Sequence, residues 1–409
     1  MESIFQQHVD ELKTMGWIGP KHIDVANRMD KAVNELFIDE LEHYLEKKPN
    51  PEGQINVLRK YGLLGIDIPE KYGGLGVDSI ALALGLERLG QLGMGPVTFV
   101  DVQCSLAGKA ILEWGTEEQK KEYLIPAVRG EKILAFCLTE PWAGSETTAL
   151  TSEYKESEGG YELNGTKYLV SNGSVAQAYI VFAHPVNKQN NMSAFLVDRD
   201  EEHIKVSMNL KEKLGLFTSD TALIEIEGAF VPQKNLIGGL GKGLSIAYSS
   251  LQNGRLGIAA GCLGAIDDCL NESIERAKTR IQHGKPIGKH QLIQRHISRI
   301  AEDLEMAKWP VYVAAYWKKL YDDRVNRDAD FRKILDQKIS LAKKIASSAA
   351  YRAADHALQI FGGFGYSTLC SPGRHYLDVR ASRIYEGTDE IMELKIASHL
   401  LGDKFEAFS

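Results

Sequence analysis

Arg383-Ile384-Tyr385-Glu386-Gly387-Thr388-Asp389-Glu390-Ile391, near the C-terminus, is the stretch on which the reading of the whole chain turns. Glu386 follows an aromatic ring and precedes a glycine, a pattern that predicts a carboxylate in a tight turn, not on a solvated helix face. Thr388 and Glu390 add hydrogen-bonding side chains within the next few residues. Upstream, Gln359-Ile360-Phe361-Gly362-Gly363-Phe364-Gly365-Tyr366 has three glycines in four positions. Such a cluster lets the backbone pass close to a bound group and leaves N–H groups uncovered. Alone, either patch also reads as a surface acid or a helix-ending glycine cluster.

Working outward, 409 residues exceed what one hydrophobic core organises, so two or three domains are expected. The net charge of -7, without a long basic run, argues against nucleic acid as the main partner. Met1-Glu2-Ser3-Ile4-Phe5 has neither the basic start nor the apolar core of a signal peptide. No stretch approaches the ~18 apolar residues of a membrane span. The five cysteines are scattered and form no Cys-x-x-Cys pair, which speaks against a disulfide framework and a structural zinc. A reduced, cytoplasmic protein without a bound metal is expected.

Taken in order, residues 1–132 read as helical, with apolar positions recurring at Val33, Leu36, Phe37, Leu41, Tyr44 and Leu45. Leu64 to Gly76, rich in proline and glycine, reads as an irregular loop. Thr98 to Leu112 reads as a buried helix, either plain core or the wall of an apolar ligand pocket. Residues 133–242 read as a β domain: an apolar run, Ile133 to Thr139, then short strand-like pieces. Asn164-Gly165 and Asn172-Gly173 punctuate these pieces and predict hairpin turns. Residues 243–409 return to the helical period. Arg255–Arg280 and Leu292–Tyr321 are expected as long helices, the second kinked at Pro310. Leu335, Ile339, Ala342, Ala346, Ala349, Ala353 and Ala357 form a small-residue stripe that predicts close antiparallel packing. The fold class expected is α+β: an N-terminal helical domain, a central β-sandwich or barrel-like domain, and a C-terminal four-helix bundle.

This order and four of its segments resemble the acyl-CoA dehydrogenase flavoprotein family. Phe136-Cys137-Leu138-Thr139-Glu140-Pro141-Trp142-Ala143-Gly144-Ser145-Glu146 is similar to the family's first signature. The resemblance implies FAD contacts from Phe136, Leu138 and Thr139, with Thr139 at the flavin edge. Gly144 and Ser145 would meet a phosphate of the cofactor or the substrate. Arg280-Ile281-Gln282-His283-Gly284 resembles the family's Arg-x-x-Phe-Gly motif. Arg280, Gln282, His283 and Gln291 would then reach the FAD of a neighbouring subunit, as would Gln359, Gly362 and Gly363. Thr388 and Glu390 match positions that hold the pyrophosphate of the subunit's own FAD. Leu169 and Ser171 stand beside the flavin, where relatives carry tryptophan and threonine. Ser145, Thr98, Val102, Arg255, Tyr385 and Gly387 are the implied substrate contacts.

The reaction implied is α,β-dehydrogenation of an acyl thioester, with Glu386 taking the α-proton. A subset of the family carries its base on the first bundle helix; here that spot is Asn253-Gly254-Arg255, and Gly254 cannot act as a base. Arg255 is expected to shape the loop around Glu386. Partners implied are an acyl-CoA thioester, an electron-transferring flavoprotein or similar acceptor, and further copies of the chain. Departures include Trp142, Glu146, His283 and Leu377, and Glu201-Glu202-His203 where a Thr-Pro-Gly turn is common. They leave open an acyl-carrier-protein thioester in place of CoA. An oxidase using O2 and a cofactor-free helical scaffold are the other readings. Val97, where glutaryl-specific relatives use arginine, argues against a dicarboxylate substrate.

Overall fold

The computed structural model describes residues 4–186, 191–200, 202–323, 328–402 and 405. Met1, Glu2, Ser3 and Glu201 of the sequence reading lie outside the described residues.

Helices fill the first part: α1 (Ile4–Thr14), α2 (Pro20–Leu45), α3 (Pro51–Lys60) and α4 (Ser79–Gly90). Pro20 and Pro51 open their helices, where a missing N–H removes no bond. Asp78 caps α4 by accepting from the Ile80 and Ala81 N–H groups. Leu64 to Gly76 is irregular apart from one 3-10 turn, as its composition predicts. Then α5 (Met94–Val100) runs through a π-helical stretch, Asp101–Gly108, into α6 (Lys109–Trp114), followed by α7 (Glu117–Gln119) and α8 (Ile125–Val128). All residues from Met94 to Ile111 are buried. An eight-residue π stretch is rare and tends to mark functional sites.

The strands are β1 (Leu134–Cys137), β2 (Glu153–Ser157), β3 (Gly160–Ser171), β4 (Ala178–Pro185), β5 (Ser193–Asp198), β6 (Ile204–Asn209), β7 (Thr221–Pro232) and β8 (Leu236–Ile237). They pair in the order β6-β7-β3-β2-β4-β5-β8, with β1 parallel to β4. Only two residue pairs join β2 to β4, so the sheet bends there into two halves. The halves face each other: Phe195 of β5 packs on Tyr154 and Tyr161 with ring centroids 5.0 and 5.2 Å away. β4 is buried on both faces, Tyr179 and Val181 toward this sandwich and Ile180 and Phe182 toward α6 and α8. That is why it reads as an unbroken apolar run.

The two Asn-Gly expectations are corrected here. Asn164-Gly165 lies inside β3 at a bulge, where the register against β7 slips. The extra residue is Gly228 of β7, in left-handed backbone with a φ of 80°, while β3 runs straight on through Asn164-Gly165. Asn172-Gly173 is a turn, but β3 pairs with β2 and β7, so it closes no hairpin. The β2–β3 turn is at Glu158-Gly159 instead.

Three long helices follow: α9 (Gly243–Thr279), α10 (Gln291–Asp322) and α11 (Ala329–Phe361). Between the first two, β9 (Ile281–Gln282) and β10 (Lys285–Pro286) form a small hairpin. Helix α10 continues through Pro310. The shorter α12 (Ser371–Ser382) and α13 (Asp389–Leu401) pack on α11 and complete the bundle. Every member of the Leu335–Ala357 stripe is fully buried. Helix α9 also crosses α4 at very short range: a Cβ on Gly264 would lie 1.9 Å from the Glu87 carbonyl oxygen. Small residues at that crossing lock the first helical layer onto the bundle.

Candidate active site

Helix α12 ends at Ser382 and α13 begins at Asp389; the decisive stretch is the turn between them. Glu386 and Gly387 both adopt left-handed backbone, with φ of 57° and 92°. For a glutamate this costs on the order of 1–3 kcal/mol and persists only where the surroundings hold it. Here they do. The Arg255 guanidinium donates from Nε to the Glu386 carbonyl at 2.9 Å, and Lys343 Nζ donates to the Gly387 carbonyl at 2.6 Å. Asp389 accepts from Arg383 at 2.7 Å, Ser347 at 3.0 Å and Ser348 at 3.2 Å. Behind Arg255 stands Asp336, 3.7 Å away, which also pairs with Lys395 at 2.8 Å.

The side chain of Glu386 runs toward α9. A Cβ on Gly254 would sit 2.8 Å from Glu386 Oε2 and 2.8 Å from Leu106 Cδ2. Gly254 is therefore the space in which the carboxylate fits. Oε2 is buried and has no hydrogen-bond partner among the described residues. Burial pushes the Glu386 carboxyl up to about 7, against the opposing pull of Arg255 and Lys343. A carboxylate held ready, basic and unpartnered in a dry site suits proton abstraction.

The α5 and π-helical segment walls this space. Val97 lies against Gly261 and Leu106 against Gly254, while Thr98, next to the Tyr385 hydroxyl, is buried together with Val102. On its other side Gln103 accepts from the Leu134 N–H of β1 at 2.8 Å. One buried segment thus fixes the spacing between the Glu386 turn and the end of β1. There Thr139 is half-buried, its carbonyl accepting from the Tyr168 N–H at 2.8 Å. Its neighbour Glu140 pairs at 2.7 Å with Lys167, both side chains essentially unexposed at 1% and 0%. Glu140 also accepts from the backbone and hydroxyl of Thr151 and the N–H of Ser152. Burial acts against its charge, yet Lys167 holds the Glu140 carboxyl down to about 2.

The remaining sequence-derived residues are mostly open. Gly144 and Ser145 are exposed, and a Cβ on Gly144 would meet nothing within 4 Å. Phe136 is half-buried against Phe182, and Leu138 is buried. Leu169 is exposed at a β3 bulge with φ of 55°, and Ser171 ends that strand half-buried. Thr388 caps α13 by accepting from the Ile391 N–H at 3.2 Å, and Glu390 is exposed in its first turn. Arg255, expected among the substrate contacts, sits behind the turn, engaged with Glu386 and Asp336 as the loop-shaping reading predicts.

Arg280, Gln282, His283, Gln291, Gln359, Gly362 and Gly363 are all exposed. His283-Gly284 forms the β9–β10 turn, with φ of 52° and 73°. Arg276 stacks over Phe361 at 5.3 Å, which brings the ends of α9 and α11 together. Along α9, Arg280 is 26 residues from Gly254, about 39 Å at 1.5 Å per residue. The two clusters lie at opposite ends of one helix, too far apart for one dinucleotide to touch both within a single chain. Open glycine N–H groups, hydroxyls, amides and an arginine fork at both places form a donor set suited to a diphosphate, so the residues present fit FAD.

Sequence reasoning missed Lys343, Asp336, Asp389 and the Glu140–Lys167 pair. It also missed Asp101, although a lone acid in an otherwise apolar run is a visible signal.

A helical layer, a bent sheet and a bundle presenting a glutamate with a buried carboxyl oxygen at a helix–helix turn define the architecture of flavin-dependent acyl dehydrogenases. Family comparison agrees: "Acyl-CoA dehydrogenase, N-terminal domain" matches residues 19–131, the middle domain 135–229 and the C-terminal domain 241–401. The chain belongs to the acyl-CoA dehydrogenase family. It is 37% identical over 350 residues to an acyl-CoA dehydrogenase of Bacillus subtilis (strain 168), covering 85% of this chain and 89% of that one. It is 34% identical to the caffeyl-CoA reductase-Etf complex subunit CarC of Acetobacterium woodii, covering 91% and 96%. Among solved structures, butyryl-CoA dehydrogenase from Megasphaera elsdenii superposes with a TM-score of 0.87 at 31% identity, covering 94% and 99%. As a member, this chain is an FAD-dependent oxidoreductase acting on acyl-CoA. Among the described residues no helix is long and apolar enough to cross a membrane, and no group of acids, histidines and cysteines could hold a metal.

Proposed function

We propose that this protein converts a short-chain acyl-CoA to its trans-2-enoyl-CoA, with Glu386 removing the α-proton. One observation carries the reading: Glu386 Oε2 is buried, unpartnered and aimed at a space kept open by Gly254. FAD, when bound, supplies the acceptor for the hydride leaving the β-carbon. The chain does the rest. Leu106, Val102 and Thr98 wall the acyl group and exclude water. The turn presents the Glu386 carboxylate and backbone N–H to one ligand, so the same residue can take the proton and polarise the thioester oxygen. Arg255 and Lys343 keep the turn in its strained form. Thr139 would lie at the flavin edge when FAD is bound, and Glu140–Lys167 hold that loop. The short-chain assignment follows the resemblance to butyryl-CoA dehydrogenase.

Electrons then pass to an electron-transferring flavoprotein, a partner suggested by the Etf complex to which the related CarC subunit belongs. The working unit is a homo-oligomer in which Arg280 and Gln359–Gly363 close over the FAD of a second copy. Arg280→Ala should then lower the flavin retained through gel filtration severalfold, without lowering the melting temperature of the apoprotein. Full flavin on a monomer contradicts this. Five free, buried cysteines suit a reducing compartment, and we place the protein in the cytoplasm.

The test is anaerobic mixing with butyryl-CoA over a pH series. The visible flavin absorbance should bleach. At limiting substrate the rate should rise about tenfold per pH unit and level off above about 7, where free Glu386 is ionised. No bleaching at any pH, or a rate that falls as pH rises through 7, contradicts the assignment.

A further inference from the structure

Asp101 is a second carboxylate that the reaction as described does not use. It is 1% exposed, lies in the π-helical stretch, and its Oδ1 has no hydrogen-bond partner among the described residues. That oxygen faces α9, where a Cβ on Gly257 would come within 2.2 Å of it. Gly254, under Glu386, and Gly257, under Asp101, are three residues apart on one face of the same helix, about 4.5 Å along its axis. Two glycines thus make a floor, with an unpartnered carboxyl oxygen over each among the described residues. Their surroundings differ. Glu386 has Arg255 and Lys343 behind it, whereas the charged neighbour of Asp101 is Glu386 itself, with the Ser105 hydroxyl beside it. Burial and the Glu386 charge both oppose ionisation of Asp101. Ser105 can serve one oxygen of this carboxyl, but Oδ1 left without a donor is a net cost to the fold, which a donor on a bound ligand would offset.

We propose that Asp101 is a specificity-determining residue that selects acyl thioesters carrying a hydrogen-bond donor, a hydroxyl or an ammonium, at the γ-carbon. This rests on the thioester reading above. With the α-carbon at Glu386, an atom on the γ-carbon lies three bonds further along an extended chain. That reach, plus a hydrogen bond of about 2.8 Å, spans the offset between the two carboxylates. An ammonium would also offset the like charges of Asp101 and Glu386; a hydroxyl would supply the missing donor only. Butyrate, with a bare γ-methyl, does neither.

The experiment compares butyryl-CoA, 4-hydroxybutyryl-CoA and 4-(dimethylammonio)butyryl-CoA as reductants of the bound flavin. It uses the holoenzyme and its Asp101→Asn and Asp101→Leu variants. The native enzyme should favour at least one donor-bearing thioester over butyryl-CoA tenfold or more in reduction rate over Kd. Asp101→Leu should reverse that order, and its ligand-free melting temperature should rise, because an unpaired buried acid has been removed. Asp101→Asn should keep a hydroxyl preference and lose an ammonium preference, which separates the two donors. Equal use of all three thioesters, with both variants slowing them alike, overturns the inference and leaves the dehydrogenase reading standing. So does a variant that only shifts the pH midpoint for every substrate, since Asp101 would then act on Glu386 alone. Reduction by none of the three overturns both.

Discussion

Glu386→Gln should slow reduction of the flavin by butyryl-CoA on the order of 10²–10⁴-fold while flavin and thioester still bind. Glutamine keeps the length of the side chain and the backbone N–H of the turn, so the oxygen-polarising contact survives and only the proton acceptor is lost. The buried position of Oε2 leaves no bulk water to substitute for it. Stability should move the other way. The carboxyl titrates near 4.5 when free and near about 7 in the fold, so the ionised form opposes folding. Its contribution is favourable at low pH and is lost as pH rises through about 7. Glu386→Gln should therefore melt above the native protein at pH 8 and match it at pH 4. Placing the base on α9 is the complementary experiment. In a Glu386→Gly background the space over Gly254 is bounded by the end of the Leu106 side chain, which can rotate. Gly254→Glu in that background should recover part of the lost rate.

The second large effect is expected behind the flavin-edge loop. Lys167→Met leaves the Glu140 carboxylate buried without its cation, and breaking such a pair typically costs about 3–5 kcal/mol. Lys167 Nζ also donates to the Leu138 carbonyl at 3.3 Å, so the loss loosens the residues on both sides of Thr139. Reduced urea resistance and a lower flavin content should appear together. Glu140→Gln added to Lys167→Met should restore much of the stability, because no uncompensated charge remains. Wild-type stability in the single variant would mean that the pair is not what holds this loop.

How far the sequence discloses this molecule depends on where each residue's partners lie. The bundle helices are legible because their signal is local: the Leu335 to Ala357 stripe recurs every three or four residues and is buried throughout. The Glu386 turn is legible because a glycine follows an acid between two helical patterns. Asn164-Gly165 misleads because the same dipeptide can run straight through a strand, here opposite the Gly228 bulge of β7, and only the pairing with β7 decides it. β6, an edge strand paired only with β7, does carry a signal, since Ile204, Val206 and Met208 alternate with Lys205, Ser207 and Asn209 over six residues. Apart from the Arg383–Asp389 pair, the support of the active-site turn is non-local. Lys343 meets the Gly387 carbonyl across 44 residues and Arg255 meets that of Glu386 across 131. Periodicity marks neither, since each reads as an ordinary helix cation, and only the family resemblance singles out Arg255. Arg280 and its hairpin are different again: they are exposed in the single chain, and the partner proposed for them is a second copy.

The central claim is that Glu386, and no other group, takes the α-proton as the flavin is reduced. It is tested most directly by anaerobic single-turnover reduction with butyryl-CoA and with the same thioester deuterated at the α-carbon, in native protein and in Glu386→Gln, above pH 7. The account predicts that deuterium slows the native reaction and that Glu386→Gln is on the order of 10²–10⁴-fold slower with either thioester. Reduction of the variant at the native rate, with the same sensitivity to α-deuterium, would show that another residue is the base.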